Sequence, residues 1–123
     1  FLYSVGMPAQ VAAPSLAALQ LMQQEPERVQ RLHAISRYFL EQATARGLDT
    51  GQSIGAAVVP VIIGSSAAAA RVSHGLLEQQ INVQPILHPA VPEKSARLRF
   101  FLSCGHTQAH IDQTLDALTA VLP

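Results

Sequence analysis

The 123 residues carry eight basic and eight acidic side chains, a formal net charge of zero, 49% hydrophobic and 13% charged content, and a single cysteine, Cys104. That length and apolar content suit one compact domain, and a lone cysteine excludes an internal disulfide, which sets the cytoplasm as the expected compartment. No run of Lys or Arg would track a phosphate backbone or an anionic bilayer, and no apolar run reaches the ~18 residues of a membrane span, so neither nucleic acid nor a membrane is an expected partner.

The chain opens on "FLYSV", which reads as a buried strand already under way, and its charged fraction is about half the ~25% usual for soluble domains. Both features lead to the expectation of a piece of a larger, oligomeric protein. A first helix is expected from Ala12 to Gln24, with Leu16, Leu19 and Met22 on one side and Pro14 in its first turn. A second starts at Pro26 and stops at Gly47, with Val29, Leu32, Ser36, Phe39 and Ala43 at three-four spacing. The linker "LDTGQSIG" leads to a strand, "AAVVPVIIG", whose Pro60 requires an edge position or a bulge. Ser65 or Ser66 caps a third helix carrying Ala69, Val72, Leu76 and Leu77. The strand "INVQPIL", the loop "HPAVPEKSA" and the strand "RLRFFLS" follow, and Thr107 caps a last helix with Ile111, Leu115, Leu118 and Leu122 on one side.

The last strand carries the unusual chemistry. Period-two alternation puts Arg97, Arg99, Phe101 and Ser103 on one face and Leu98, Phe100 and Leu102, the core set, on the other. A guanidinium on a rigid strand offers a planar fork that binds a carboxylate through two parallel hydrogen bonds, which suits an anionic small molecule. Alternatively, both arginines are surface strand residues paired with Asp or Glu, and spacing leaves the two readings open.

The stretch "LLEQQINVQPILHPAVPEKSARLRFFLSCGHTQAHIDQTLDAL" resembles the C-terminal segment of the α-oxoamine synthases, pyridoxal-phosphate (PLP) enzymes of the aspartate aminotransferase fold, fold type I. Ile81, Val83, Pro89 to Pro92, Ala96 to Arg99, Leu102, Ser103, His106, Thr107, Ile111 and Asp112 match that family's pattern, and "FLYSVGMP" and "VVPVIIG" match its earlier segments in the right order. The resemblance implies an α/β, two-layer α+β architecture: a three-stranded, mainly antiparallel sheet with helices on one face. Residues 1–50 would lead from a preceding PLP domain and residues 51–123 would form the C-terminal subdomain.

The activity implied is condensation of a small amino acid with an acyl-CoA or carrier-bound acyl thioester, with loss of CO2, in a homodimer. The second arginine of the family's R-x-R pair grips the amino acid's carboxylate, which maps onto Arg99. Arg97 inherits no role and is expected to pair with an acid. Ser4 falls where the family has a hydroxyl that reaches the cofactor phosphate; Val5 departs from the pattern beside it. The family's Schiff-base lysine has no counterpart, because the sole lysine, Lys94, lies in the turn "PEKSA". This chain alone is therefore expected to be inactive and not to retain the cofactor.

Cys104, His106 and His110 have a C-x-H-x3-H spacing, but no acidic residue lies between the histidines and no second ligand pair occurs, so no metal site is expected. His106 is expected to anchor the strand-to-helix turn, Cys104 to pack, and His33 and His74 to lie at the surface. His88 borders the "PAVP" loop, which approaches the substrate in the family. The alternative function is a free-standing α+β module that binds a small anion or a protein without chemistry.

Overall fold

The computed structural model describes residues 2, 3 and 5–122. Its elements are helices α1 (Ala9–Gln24) and α2 (Glu27–Ala45), strand β1 (Val58–Ile62), helix α3 (Ser66–Glu78), strand β2 (Gln84–Ile86), a short 3-10 turn (Glu93–Ser95), strand β3 (Arg97–Phe101) and helix α4 (Gln108–Val121). The strands form one antiparallel sheet in the order β1-β3-β2, so the last strand in sequence is the central one. Both edge strands carry a proline, Pro60 opposite Arg99 and Pro85 opposite Leu98. An edge tolerates a residue with no N–H, as expected for Pro60.

The helices α2, α3 and α4 cover one face of this sheet. Val59, Val61, Leu98 and Phe100 from the strands meet Phe39, Val72, Leu76, Ile111, Leu115 and Leu118 from the helices in a single core. The rings of Phe39 and Phe100 lie 5.0 Å apart at an interplanar angle of 41°. Tyr38 of α2 donates its hydroxyl to the Asp112 carboxylate of α4 at 2.9 Å, and Arg46 pairs with Asp116 at 2.9 Å, so two polar links reinforce the α2–α4 seam.

Helix ends follow local chemistry. The Ser65 side chain accepts the Ala68 N–H to open α3, and Thr107 and His110 form a reciprocal capping box at the start of α4. Gly47, at φ +72°, closes α2: the Leu48 N–H returns to the Ala43 carbonyl and the Gly47 N–H to that of Thr44. Gln80, at φ +64°, does the same for α3, with the Ile81 N–H on the Leu76 carbonyl. A Cβ-bearing residue holds a conformation that glycine adopts at lower cost.

Several expectations are corrected. Leu2 and Tyr3 form an exposed turn rather than a strand, since extended backbone needs a neighbouring strand and none of the three described strands pairs with it; Phe1 lies outside the described residues. Helix α1 begins at Ala9, which places Pro14 inside it, and Leu16, Leu19 and Met22 are exposed because no residue of α1 is buried. Val29 and Leu77 are exposed as well, while Ile35, not expected in the core, is buried. The apolar stripes of α2 and α3 are wider than the surfaces that cover them. The strands β2 and β3 are shorter than the apolar runs that suggested them. No described helix is long and apolar enough to cross a membrane.

Two substitutions separate packing from backbone strain. Leu115→Ala, at a fully buried site, is expected to destabilise the chain by about 2–5 kcal/mol, and Gln80→Gly to stabilise it by up to ~1 kcal/mol. Urea unfolding midpoints of the two variants should move in opposite directions.

Candidate functional site

The pleat of the central strand decides what each of its side chains faces. With Leu98 and Phe100 committed to the core, Arg97, Arg99 and Phe101 must stand on the face that the helices leave open. Pro60 and Gln84 flank Arg99 in the register, and Ile62 and Ile86 flank Arg97. Arg97 and Arg99, with Val58, Pro60 and Ile86 of the edge strands and Ala90 and Val91 of the loop after β2, line an open recess of about 600 Å³. The fold therefore brings the "PAVP" loop and the R-x-R pair to one place.

Arg99 is exposed, and its guanidinium carbon lies 5.0 Å from the centroid of the Phe101 ring. That stacking restricts the side chain while leaving the edge of the fork free to accept a ligand. Among the described residues no carboxylate lies within ion-pair distance of Arg99 or Arg97. Among the described residues, then, neither arginine has the acidic partner that the surface-pair reading requires. Arg97 instead donates its Nε–H to the Ser95 carbonyl at 2.8 Å. The 3-10 turn presents that carbonyl to the guanidinium, while the turn's own carboxylate, Glu93, is engaged elsewhere.

Glu93 accepts the Ser66 backbone N–H at 2.8 Å and the Ser66 hydroxyl, and that hydroxyl accepts the His88 N–H at 3.1 Å. The Ser66 hydroxyl, followed by its N–H, holds the Glu93 carboxyl below the usual carboxylate range. The His88 side chain is exposed and does not line the recess. Lys94 is exposed on the 3-10 turn. Ser4 lies outside the described residues.

His106 anchors the strand-to-helix turn as expected, its Nδ1 accepting the Ser103 N–H at 3.1 Å. The Nδ1 of His110 accepts the Thr107 N–H at 3.3 Å. In both rings Nδ1 is thereby taken up by a backbone N–H. Among the described residues no three His, Cys, Asp or Glu side chains are grouped to hold an ion. Cys104 is half-buried, and His33 and His74 are exposed. Sequence reasoning missed a second recess, about 540 Å³, between residues 79–84, the end of β3 and the start of α4; Arg99 borders it too. It lies just before the start of β2, where residues 79–83 do not pair with the end of β3.

Residues 1–118 match the family model described as aminotransferase class I and II. The chain belongs to this family. It is 41% identical over 121 residues to 8-amino-7-oxononanoate synthase of Symbiobacterium thermophilum, a match that covers 98% of this chain and 31% of that protein. The chain thus spans about a third of the length of the curated relatives it matches. Among solved structures it superposes on 8-amino-7-oxononanoate synthase from Francisella tularensis with a TM-score of 0.82 at 22% identity, covering 96% of this chain and 34% of that one. It also superposes on serine palmitoyltransferase from S. paucimobilis, solved with PLP and myriocin bound, with a TM-score of 0.84 at 24% identity over 97% and 30% of the two chains. Both likenesses run over nearly the whole of this chain and show a shared fold.

The Glu93 contact has a definite pH signature. A carboxyl whose pKa is lowered on folding adds stability that is fully present above its unfolded value and is lost as pH falls through the folded one. In an NMR titration the Ser66 amide should keep its folded shift until the pH has fallen below the usual carboxylate range.

Proposed function

We propose that this chain is the C-terminal part of a PLP-dependent α-oxoamine synthase that condenses a small amino acid with an acyl-CoA or carrier-bound acyl thioester and releases CO2. The observation that carries the reading is Arg99: a strand-mounted guanidinium, stacked on Phe101, without a carboxylate partner among the described residues, in a recess shared with the "PAVP" loop. In this reading Arg99 binds the amino acid's carboxylate. Two hydrogen bonds from a fixed fork orient the Cα substituents relative to the cofactor, so that positioning becomes rate. The synthase names carried by the relatives support the same substrate class.

The described residues do not themselves fit PLP. The chain's one lysine is the exposed Lys94, and the arginine recess suits a carboxylate rather than the cofactor ring. When bound, PLP supplies the electron sink for the carbanion at the amino acid's Cα. Its anchoring lysine belongs, in this proposal, to a preceding domain, and Ser4 would contact its phosphate from across a homodimer interface. Residues 1–50 would lead from that domain, with α2 packed into the core of the α+β subdomain formed by 51–123, in a cytoplasmic enzyme. The uncovered residues of α1 and the open sheet face are the surfaces such a domain would bury.

In the longer enzyme, Arg99→Lys should lower kcat/KM for the amino acid by roughly 2–4 kcal/mol, through loss of the fork geometry, while cofactor loading survives. Arg97→Lys, whose native contact is one backbone carbonyl, should cost under about 1 kcal/mol. Amino-acid titrations followed in the cofactor's visible band test this, and equal weakening by both substitutions would defeat the assignment of Arg99. The 123-residue chain alone should bind PLP only at roughly millimolar concentration, where one or two isolated charge contacts leave a ligand. Micromolar binding in a visible-band titration would show a cofactor site within this chain.

A further inference from the structure

We infer that Glu93 and Ser66 form a clasp that positions the 87–92 loop as a wall of the Arg99 recess, which makes Glu93 a positioning residue for the substrate. The inference rests on the function proposed above for its link to substrate, but the clasp itself is a property of this chain. One serine hydroxyl joins both ends of the loop: it donates to the Glu93 carboxylate just after the loop and accepts the His88 N–H near its start. The second carboxylate oxygen takes the Ser66 backbone N–H at 2.8 Å.

The mount is firm. Ser66 is the first residue of α3, whose Ala69, Val72 and Leu76 are buried, so the clasp ties the loop to a helix packed into the core. The Ser65 side chain caps the Ala68 N–H, leaving the Ser66 N–H, unpaired within the helix, for Glu93. A carboxylate at that end is also favoured by the helix dipole. Inside the loop, the Ala90 and Val91 N–H groups both turn back to the Leu87 carbonyl, at 2.9 and 3.3 Å. Ala90 and Val91 are the loop residues that line the recess with Arg99, and both lie between the two tethered points. On the far side of the clasp, the turn from Glu93 ends at Ser95, whose carbonyl holds Arg97. Releasing Glu93 therefore loosens the recess wall and the approach to β3 together, without touching the core.

The test has two arms. In this chain, Glu93→Ala should speed hydrogen exchange at the His88, Ala90 and Val91 amides by about tenfold or more, leaving the amides around Leu115 and Leu118 unchanged. Ser66→Ala should act in the same direction, and Glu93→Gln, which keeps an acceptor for the Ser66 N–H, should fall between. Lys94→Ala, the neighbouring exposed residue, is the control and should change nothing. In the longer enzyme, Glu93→Ala should raise KM for the amino acid about fivefold with kcat nearly constant, and Glu93→Gln should restore part of the loss. Unchanged exchange at 88–91 would overturn the clasp, and faster exchange with unchanged KM would overturn its positioning role. If Arg99→Lys leaves the amino-acid response intact, the functional reading fails instead, and the exchange arm still decides the clasp.

Discussion

The central position of β3 is the constraint on which the rest of the molecule depends. A strand with a neighbour on each side has its backbone groups paired laterally, so its side chains have only two directions to take. One direction fills the core through Leu98 and Phe100, and the other presents Arg97, Arg99 and Phe101 to the open face. A one-residue slip of register would exchange the two sets, placing two guanidiniums among Phe39, Leu76 and Leu115. The cost of burying unpaired charge excludes that slip, and the same cost fixes where the arginines point. Core packing and the placement of the arginines are thus two consequences of one alternation.

That alternation is legible in the sequence because period two is a strong signal over the five residues of β3. The capped starts of α3 and α4 and the glycine stop of α2 are legible for a similar reason, since each is encoded within a few adjacent residues: Ser65, Thr107 and Gly47. What local pattern cannot carry is the extent of coverage. Leu16, Leu19 and Met22 of α1, Val29 of α2 and Leu77 of α3 repeat at helical spacing, yet their exposure depends on what else is present to pack against them. The turn at Leu2 and Tyr3 is the same lesson in strand form, because an apolar run becomes a strand only when another strand accepts its hydrogen bonds.

The candidate site divides along the same line. The place of Arg99 on the open face could be read from its two-residue spacing. The partner of Arg97 could not, since nothing in the sequence says that a carbonyl two residues upstream meets the guanidinium before any acid does. The link from Ser66 to Glu93 spans 27 residues and is invisible to any local rule; only the folding of α3 beside the 93–95 turn creates it. Taking up Glu93 there has a further effect on the recess. It engages a carboxylate only four residues from Arg97 in sequence, which then makes no pair with that guanidinium.

Two like charges two residues apart on one strand face, about 6.6 Å along the chain, repel each other, and a recess that holds them needs a reason to do so. Screening by water makes the repulsion modest at an exposed site, but it does not make it favourable. Stacking on Phe101 and the Ser95 carbonyl each hold one guanidinium in place without neutralising it. The positive charge is left uncompensated within the described residues. A carboxylate that enters such a recess gains the full charge-assisted pair and spends little of it on ordering the receptor. Lysine, a flexible point charge with neither a fork nor a plane to stack, could supply the attraction but not the fixed angle. In the function proposed above, the arginine, the aromatic ring two residues later and the clasped loop are therefore parts of a single device for orienting an anion.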